Sequence, residues 1–123
     1  MFQWYGDMIT TRNWANIWLN EGFATFLSRK YRENKFGYDE GEYDRFGEMR
    51  SYFYANKKWA RPTVHDHYYV PMDLFDGHVY AKGSLILNMM QDHLGDDAFI
   101  RAVQHYTKVN QHKNVETQDL KKA

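Results

Sequence analysis

Apolar residues recur at three- and four-residue steps along most of the chain, which is the spacing that one face of an α-helix presents. The pattern predicts four helices, at about Trp14–Lys35, at about Asp39–Asn56, at about Gly77–Leu94, and from Asp96 or Asp97 onward. Gly37 and Gly95 follow the first and third helices, where glycine favours a helix end. Thr117 is a candidate N-cap for a fifth helix.

Each predicted helix has an apolar face, and the third is apolar on most sides, which is typical of a buried helix. The other faces are Ile17, Trp18, Ala24, Leu27 and Tyr31 in the first helix, Tyr43, Phe46, Met49, Arg50 and Phe53 in the second, and Phe99, Ala102, Val103, Tyr106 and Val109 in the fourth. Pro62 and Pro71 bracket one long loop, because a residue before proline is pushed out of the helical region. A strand pattern is weak and confined to Asp7–Thr11. The sequence therefore predicts an all-α fold of four to five helices in one domain, residues 1–123.

Composition narrows the class of protein. The chain has 123 residues, of which 43% are hydrophobic and 18% aromatic, too many for a disordered segment. Its formal net charge is zero, which disfavours nucleic acids and membrane surfaces as partners, because both attract a basic protein. No apolar run approaches the roughly 20 residues that span a bilayer, and the absence of cysteine excludes disulfides and thiol ligands. A soluble globular protein is predicted, and its compartment stays open.

Glu21 is the most informative single residue. In a helix, its side chain shares a face with the residues three and four positions away. Those neighbours are Ile17, Trp18, Ala24 and Thr25. A carboxylate on an apolar face must be paired, protonated or bound to a metal, because burying it alone costs several kcal/mol. Gly22 follows directly, and a glycine inside a helix indicates that another backbone approaches closely there.

Two segments resemble a known family of enzymes. Gln3-Trp4-Tyr5-Gly6-Asp7, followed by Trp18-Leu19-Asn20-Glu21-Gly22-Phe23-Ala24, is similar to the M1 family of zinc aminopeptidases. In that family a helix bearing His-Glu-x-x-His leads into the first segment, and the second segment supplies the third zinc ligand. The resemblance implies that the chain is the helical lobe of a thermolysin-like catalytic domain, that Glu21 is a metal ligand, and that Asn20 orients it or caps a backbone group.

The resemblance also implies that part of the active site is missing from the sequence as given. With the family's spacing, the second histidine of the motif falls where Phe2 stands, and the first histidine and the general-base glutamate fall before Met1. A catalytic zinc needs three protein ligands and a water that a base activates. We therefore expect zinc in a longer parent protein, no tightly bound zinc in this chain, and no activity of the chain alone.

A third segment extends the resemblance. Asp76-Gly77-His78-Val79-Tyr80-Ala81-Lys82-Gly83-Ser84 looks like the family's Tyr-x-Lys-Gly-Ala segment, whose tyrosine donates a hydrogen bond to the oxyanion of the reacting peptide. By itself, Tyr80 is better explained as a residue at the start of an apolar helix whose hydroxyl faces water, and the Glu21 segment shifts the preference to the functional role. His78 is a candidate for the lining of the substrate cleft, and Gly83 is expected to allow close helix packing.

Three hypotheses about function follow, in order of preference. The first is a piece of a zinc aminopeptidase, with peptides as the parent's substrates. The second is a non-catalytic helical interaction module with the same fold. The third is a metal site that uses Glu21 with His65, His67 or His78 as substitute ligands. We also expect self-association, because the face around Trp18 and Glu21 would be exposed without the zinc helix.

Overall fold

The computed structural model of the chain describes residues 4–123, and this part is built almost entirely from helices. The α-helices in the described part are α1 (Trp18–Phe36), α2 (Tyr38–Lys58), α3 (Gly83–Leu94), α4 (Asp96–Asn110) and α5 (Thr117–Lys122). Short 3-10 turns occupy Trp14–Asn16 and Pro71–Leu74, and a π-helical turn occupies His78–Lys82. None of the helices between residues 4 and 123 combines the length and apolar character needed to cross a membrane. The all-α prediction is confirmed.

The helix ends lie close to the predicted ones. Gly37 and Gly95 have φ angles of 104° and 81°, which L side chains rarely adopt, so α1 and α3 end at these residues. The first helix begins later than expected, at Trp18, because the residues before it form a tight 3-10 turn. The Asn16 side chain donates a 2.8 Å hydrogen bond to Asn13 and stabilises that turn.

Two short strands join the two ends of the described chain. β1 (Thr10–Thr11) pairs in parallel with β2 (Asn114–Val115), so the predicted strand Asp7–Thr11 is only two residues long. The Oδ1 atom of Asn16 accepts hydrogen bonds from the backbone N–H and the hydroxyl of Thr117, at 3.0 and 2.7 Å. The start of α5 is therefore fixed against the turn that precedes α1.

α1 is the central helix and packs against α2, α3 and the π-helical turn. Its Phe23 is fully buried and stacks between two tyrosine rings, with ring centroids 4.5 Å from Tyr5 and 5.7 Å from Tyr106. The rest of the core comes from α1, α3, α4 and the segments between them, including Ile9, Leu19, Phe26, Leu74, Val79, Leu87, Phe99 and Val115.

The apolar face predicted for α2 does not point toward the core. Tyr43, Phe46 and Phe53 are more than half exposed. The inward side of α2 instead carries Glu48, which accepts a 3.2 Å hydrogen bond from the buried guanidinium of Arg29. A buried guanidinium requires a charged partner. This ion pair accordingly faces α1 and leaves the aromatic side chains of α2 outside.

The expectation that the face around Trp18 is exposed is also wrong for Trp18 itself. Trp18 is only 4% exposed, and its indole N–H donates a 3.0 Å hydrogen bond to the Thr117 hydroxyl. The start of α5 covers the ring, which the helical period of α1 alone does not reveal. Self-association stays a prediction, but it loses the support of Trp18, because this side chain is buried.

Candidate functional site

The candidate site lies where α1 meets the beginning of α3. A Cβ atom on Gly22 would lie 3.0 Å from the carbonyl carbon and from the Cα of Gly83. A Cβ atom on Gly83 would lie 3.0 Å from the Cα of Gly22. A distance of 3.0 Å is tighter than most Cβ contacts, and the atoms that each Cβ would meet are backbone atoms, so the close approach of the two helices relies on glycine at both positions. The predicted close approach at Gly22 and the predicted packing role of Gly83 are confirmed.

This crossing brings Glu21 and Tyr80 together. Glu21 precedes one of the two glycines, and Tyr80 lies one turn before the other. The Tyr80 phenol lies close enough to the Glu21 carboxylate for each group to shift the pKa of the other. One carboxylate oxygen of Glu21, Oε2, is buried and has no hydrogen-bond partner among residues 4–123. The site therefore contains an acceptor that the described residues leave unused.

The electrostatics of the pair favour neutral forms. Burial raises the pKa of the Glu21 carboxyl above its ordinary value, and the hydrogen bond from Tyr80 opposes that shift. Burial also raises the pKa of the Tyr80 phenol, and the adjacent negative charge of Glu21 raises it further. The phenol is therefore protonated at neutral pH and acts as a hydrogen-bond donor.

Tyr80 lies in a π-helical turn, whereas the sequence predicted a regular helix from Gly77 onward. The backbone N–H of Lys82 donates a 2.8 Å hydrogen bond to the carbonyl of Gly77, five residues earlier. Single π-helical turns occur frequently at functional sites, because the extra residue changes where side chains point. The Phe75 ring packs beside Tyr80, with centroids 6.3 Å apart.

Asn20 and His78 are both buried. The Oδ1 atom of Asn20 has no hydrogen-bond partner in the described part of the chain. The ring of His78 is fully buried at the edge of Tyr52, and its Nδ1 lies 3.1 Å from Asp76 Oδ2. Burial lowers the pKa of His78, with Asp76 opposing the shift. The roles predicted for these two residues, in orienting Glu21 and in lining a cleft, stay predictions.

Sequence reasoning missed Arg61. Its guanidinium is buried and donates to both carboxylate oxygens of Asp76, from Nη2 at 2.7 Å and from Nε at 3.3 Å. The sequence identifies Asp76 only as the first residue of the tyrosine segment. The sole sequence signal for Arg61 is its position before Pro62 at the start of the long loop, and that signal does not identify a partner.

Among the described residues, Glu21 is the single candidate donor for zinc at this site. The unpaired Oε2 of Glu21 suits a metal ligand, because a buried carboxylate oxygen needs a positive or hydrogen-bonding partner. However, no three histidine, aspartate or glutamate side chains between residues 4 and 123 are grouped closely enough to hold a metal ion. His65 packs on Trp59 and His67 is almost fully exposed, so neither joins Glu21 in such a group. Phe2, which stands at the expected histidine position, lies outside the described residues.

Comparisons with known proteins agree on one family. The peptidase family M1 domain matches residues 1–123. Aminopeptidase 2 of Candida albicans is 34% identical over 98% of this chain, and Probable aminopeptidase 2 of Sulfurisphaera tokodaii is 31% identical over 96%. The chain spans only 14% and 16% of the lengths of these two relatives.

Solved structures show the same architecture. The chain matches an M1 zinc metallopeptidase from Deinococcus radiodurans with a TM-score of 0.77 and 29% identity, covering 97% of this chain and 26% of that one. Aminopeptidase A of Legionella pneumophila, solved with aspartic acid, matches with a TM-score of 0.81 and 30% identity, covering 97% and 13%. Yeast LTA4 hydrolase shares the fold, with a TM-score of 0.88 at 22% identity, covering 94% and 20%. Because the family domain and these relatives match nearly every residue, the chain belongs to peptidase family M1.

Proposed function

We propose that this chain is the part of a zinc aminopeptidase that supplies one metal ligand, Glu21, and the oxyanion-stabilising residue, Tyr80. The observation that carries the proposal is that the Glu21 Oε2 atom is buried and has no hydrogen-bond partner among residues 4–123, in a side chain whose pKa Tyr80 shifts. A carboxylate that only stabilised the fold would be expected to use both oxygens. Relatives named as aminopeptidases support the same activity for the protein to which this chain belongs.

Tyr80 suits the stabilisation of negative charge. Its phenol stays protonated at neutral pH and is partly buried, so the O–H group is available as a hydrogen-bond donor. A donor held in a site of low polarity stabilises an oxyanion more than water does, because the site pays no reorganisation cost during the reaction. Tyr80 would donate to the oxygen of the scissile peptide as that oxygen gains charge.

Glu21 would hold zinc through the oxygen that is left unpaired. Bound zinc supplies a Lewis acid and lowers the pKa of a coordinated water. The described residues contain no group of three histidine, aspartate or glutamate side chains that could hold a metal ion, so the remaining ligands would have to come from elsewhere. We therefore infer that residues 4–123 do not hydrolyse peptides by themselves and need further residues to complete the site.

The test uses the gene product that contains this sequence and an aminoacyl arylamide substrate. Tyr80→Phe is expected to lower kcat on the order of 100- to 1,000-fold, the cost of removing one oxyanion donor, with zinc content unchanged. The matched control is Tyr69→Phe, because Tyr69 is fully exposed and its loss of a hydroxyl should leave kcat unchanged. Equal kcat values for the two variants would refute the role of Tyr80.

The alternative is a non-catalytic interaction module. The exposed aromatic side chains of α2, among them Tyr43, Phe46 and Phe53, favour it, because such a surface is typical of a binding face. The same kinetic experiment separates the two proposals. A gene product that neither binds zinc nor hydrolyses the substrate would support the module and contradict the enzyme.

A further inference from the structure

The π-helical turn that carries Tyr80 is fixed at Asp76. The backbone carbonyl of Asp76 accepts hydrogen bonds from the N–H groups of Val79 and Tyr80, at 3.2 and 3.3 Å. The Oδ1 atom of Asp76 accepts a further bond, of 2.9 Å, from the backbone N–H of His78. Three consecutive N–H groups at the start of the turn therefore bond to one residue.

The Asp76 side chain is held in turn by Arg61. Both carboxylate oxygens accept from this guanidinium, and the remaining donors of Arg61 reach the backbone carbonyls of Leu74 and Pro62, each at 3.1 Å. The Arg61 side chain is only 1% exposed. Paired, charge-assisted hydrogen bonds in a buried setting hold a carboxylate in one orientation. His78 Nδ1 adds a further contact, at 3.1 Å from Oδ2.

We propose that Arg61 and Asp76 form a positioning pair for Tyr80. The pair sets the register of the π-helical turn, and this register places the phenol against Glu21. The proposal rests on the proposed function, in which Tyr80 contacts the substrate. Among residues 4–123, the hydrogen bonds of Arg61 and Asp76 go to neither Glu21 nor the phenol, so we infer that each acts through the backbone that carries Tyr80.

A double-mutant cycle on kcat tests the proposal in the gene product that contains this sequence. Asp76→Ala is expected to lower kcat by about 10- to 100-fold, the usual effect of displacing a reacting group slightly, with little change in KM. In a Tyr80→Phe background the same substitution should lower kcat little further, because the phenol it positions is already gone. Effects that multiply in the double variant would overturn the proposal, since they would show that Asp76 acts independently of Tyr80.

Three further variants complete the cycle. Asp66→Asn is the matched control, because the Asp66 side chain lies in the loop that precedes Asp76 and is largely exposed, and its kcat should equal that of the unsubstituted protein. Asp76→Asn keeps the side-chain volume and one acceptor oxygen, so it should recover part of the activity, and it replaces Asp76→Ala in the cycle if the alanine variant does not fold. Arg61→Lys keeps the positive charge but cannot donate to both Asp76 oxygens in the same geometry, so its kcat should be lowered as in the Asp76 variants.

A second readout does not depend on hydrolysis. In protein labelled with 3-fluorotyrosine, the ¹⁹F resonance of Tyr80 is assigned by its loss in Tyr80→Phe. Glu21→Gln should shift this resonance, and the shift should disappear in an Asp76→Ala or Asp76→Asn background, because the two side chains no longer meet. An equal shift in all backgrounds would overturn the positioning role. A protein without aminopeptidase activity in which the Asp76 variants abolish the shift would refute the proposed function and retain the positioning pair.

Discussion

At the scale of single residues, the Glu21 carboxylate is partly buried and lacks a full set of hydrogen-bond partners. Its Oε2 atom is buried and has no hydrogen-bond partner among residues 4–123, and Tyr80 is the neighbour that shifts its pKa. Proteins retain such arrangements where a ligand or metal supplies the missing interaction, because an unpaired buried acceptor destabilises the fold. The free acceptor is therefore consistent with a functional and not a stabilising role for Glu21.

The raised pKa of Glu21 predicts a pH-dependent stability. The folded state binds the proton more tightly than the unfolded chain does, so between the unfolded value near 4.5 and the raised folded value the folded state binds more protons. The free energy of unfolding therefore decreases as pH rises through this window, and Glu21→Gln removes that decrease. Urea denaturation with EDTA present should show the variant gaining stability over the unsubstituted chain as pH rises, up to a plateau.

A Tyr80→Phe variant extends the same stability experiment. Tyr80→Phe removes the hydrogen bond that lowers the pKa of Glu21, so the window in which stability falls should extend to higher pH. A stability difference between Glu21→Gln and the unsubstituted chain that does not change with pH would contradict the burial of the ionised carboxylate.

At the scale of the elements, the crossing of α1 and α3 depends on two glycines. Gly22→Ala and Gly83→Ala would each place a methyl group about 3.0 Å from backbone atoms of the other helix. Each should lower the free energy of unfolding by about 1–3 kcal/mol, as overpacking does in other cores. Gly47→Ala on α2 is the control, because nothing lies within 4 Å of its added methyl group. Urea denaturation should show this variant stabilised, by up to about 1 kcal/mol.

The three glycine variants separate packing from helix propensity. Alanine favours the helix at every one of these positions, so propensity alone would stabilise all three variants. Stabilisation of Gly22→Ala or Gly83→Ala to the same degree as Gly47→Ala would contradict the close contact between the two helices.

The sequence predicted where the helices lie better than which way they face. Helix ends were predictable because Gly37 and Gly95 are local signals. The inward face of α2 was not, because Glu48 pairs with Arg29, nineteen residues earlier on α1, and apolar periodicity ignores a charged side chain that faces inward. The same limit hid Arg61, whose partner Asp76 is identified only once the long loop is folded.

Within the site, the residues that a local motif carries were predictable and their geometry was not. Glu21, Gly22, Tyr80 and Gly83 were all singled out from the sequence, and the structure brings them to one helix crossing. The π-helical turn at Tyr80 was not predicted, because its Lys82–Gly77 bond lies in a turn whose first N–H groups bond to Asp76, and the sequence pattern shows none of these bonds. Such a turn depends on tertiary contacts and not on spacing.

At the scale of the whole molecule, the two ends of the described chain stabilise the site between them. β1 pairs with β2, and Thr117 bonds to Asn16 and to the indole of Trp18. Trp18 in turn packs near Gly83, because a Cβ atom built on Gly83 would lie 3.5 Å from the Cε3 atom of Trp18. The region around α5 therefore supports the helix crossing where Glu21 and Tyr80 meet, although it lies far from both in sequence.

The most direct test of the central claim is the zinc content of the gene product that contains this sequence, measured by mass spectrometry after dialysis. We expect about one zinc ion per molecule, lost in Glu21→Gln and retained in Glu33→Gln, because Glu33 is a second glutamate on α1 that pairs with Lys30. A Glu21→Gln variant that keeps its zinc, or an unsubstituted protein that binds none, would contradict the assignment of Glu21 as a metal ligand.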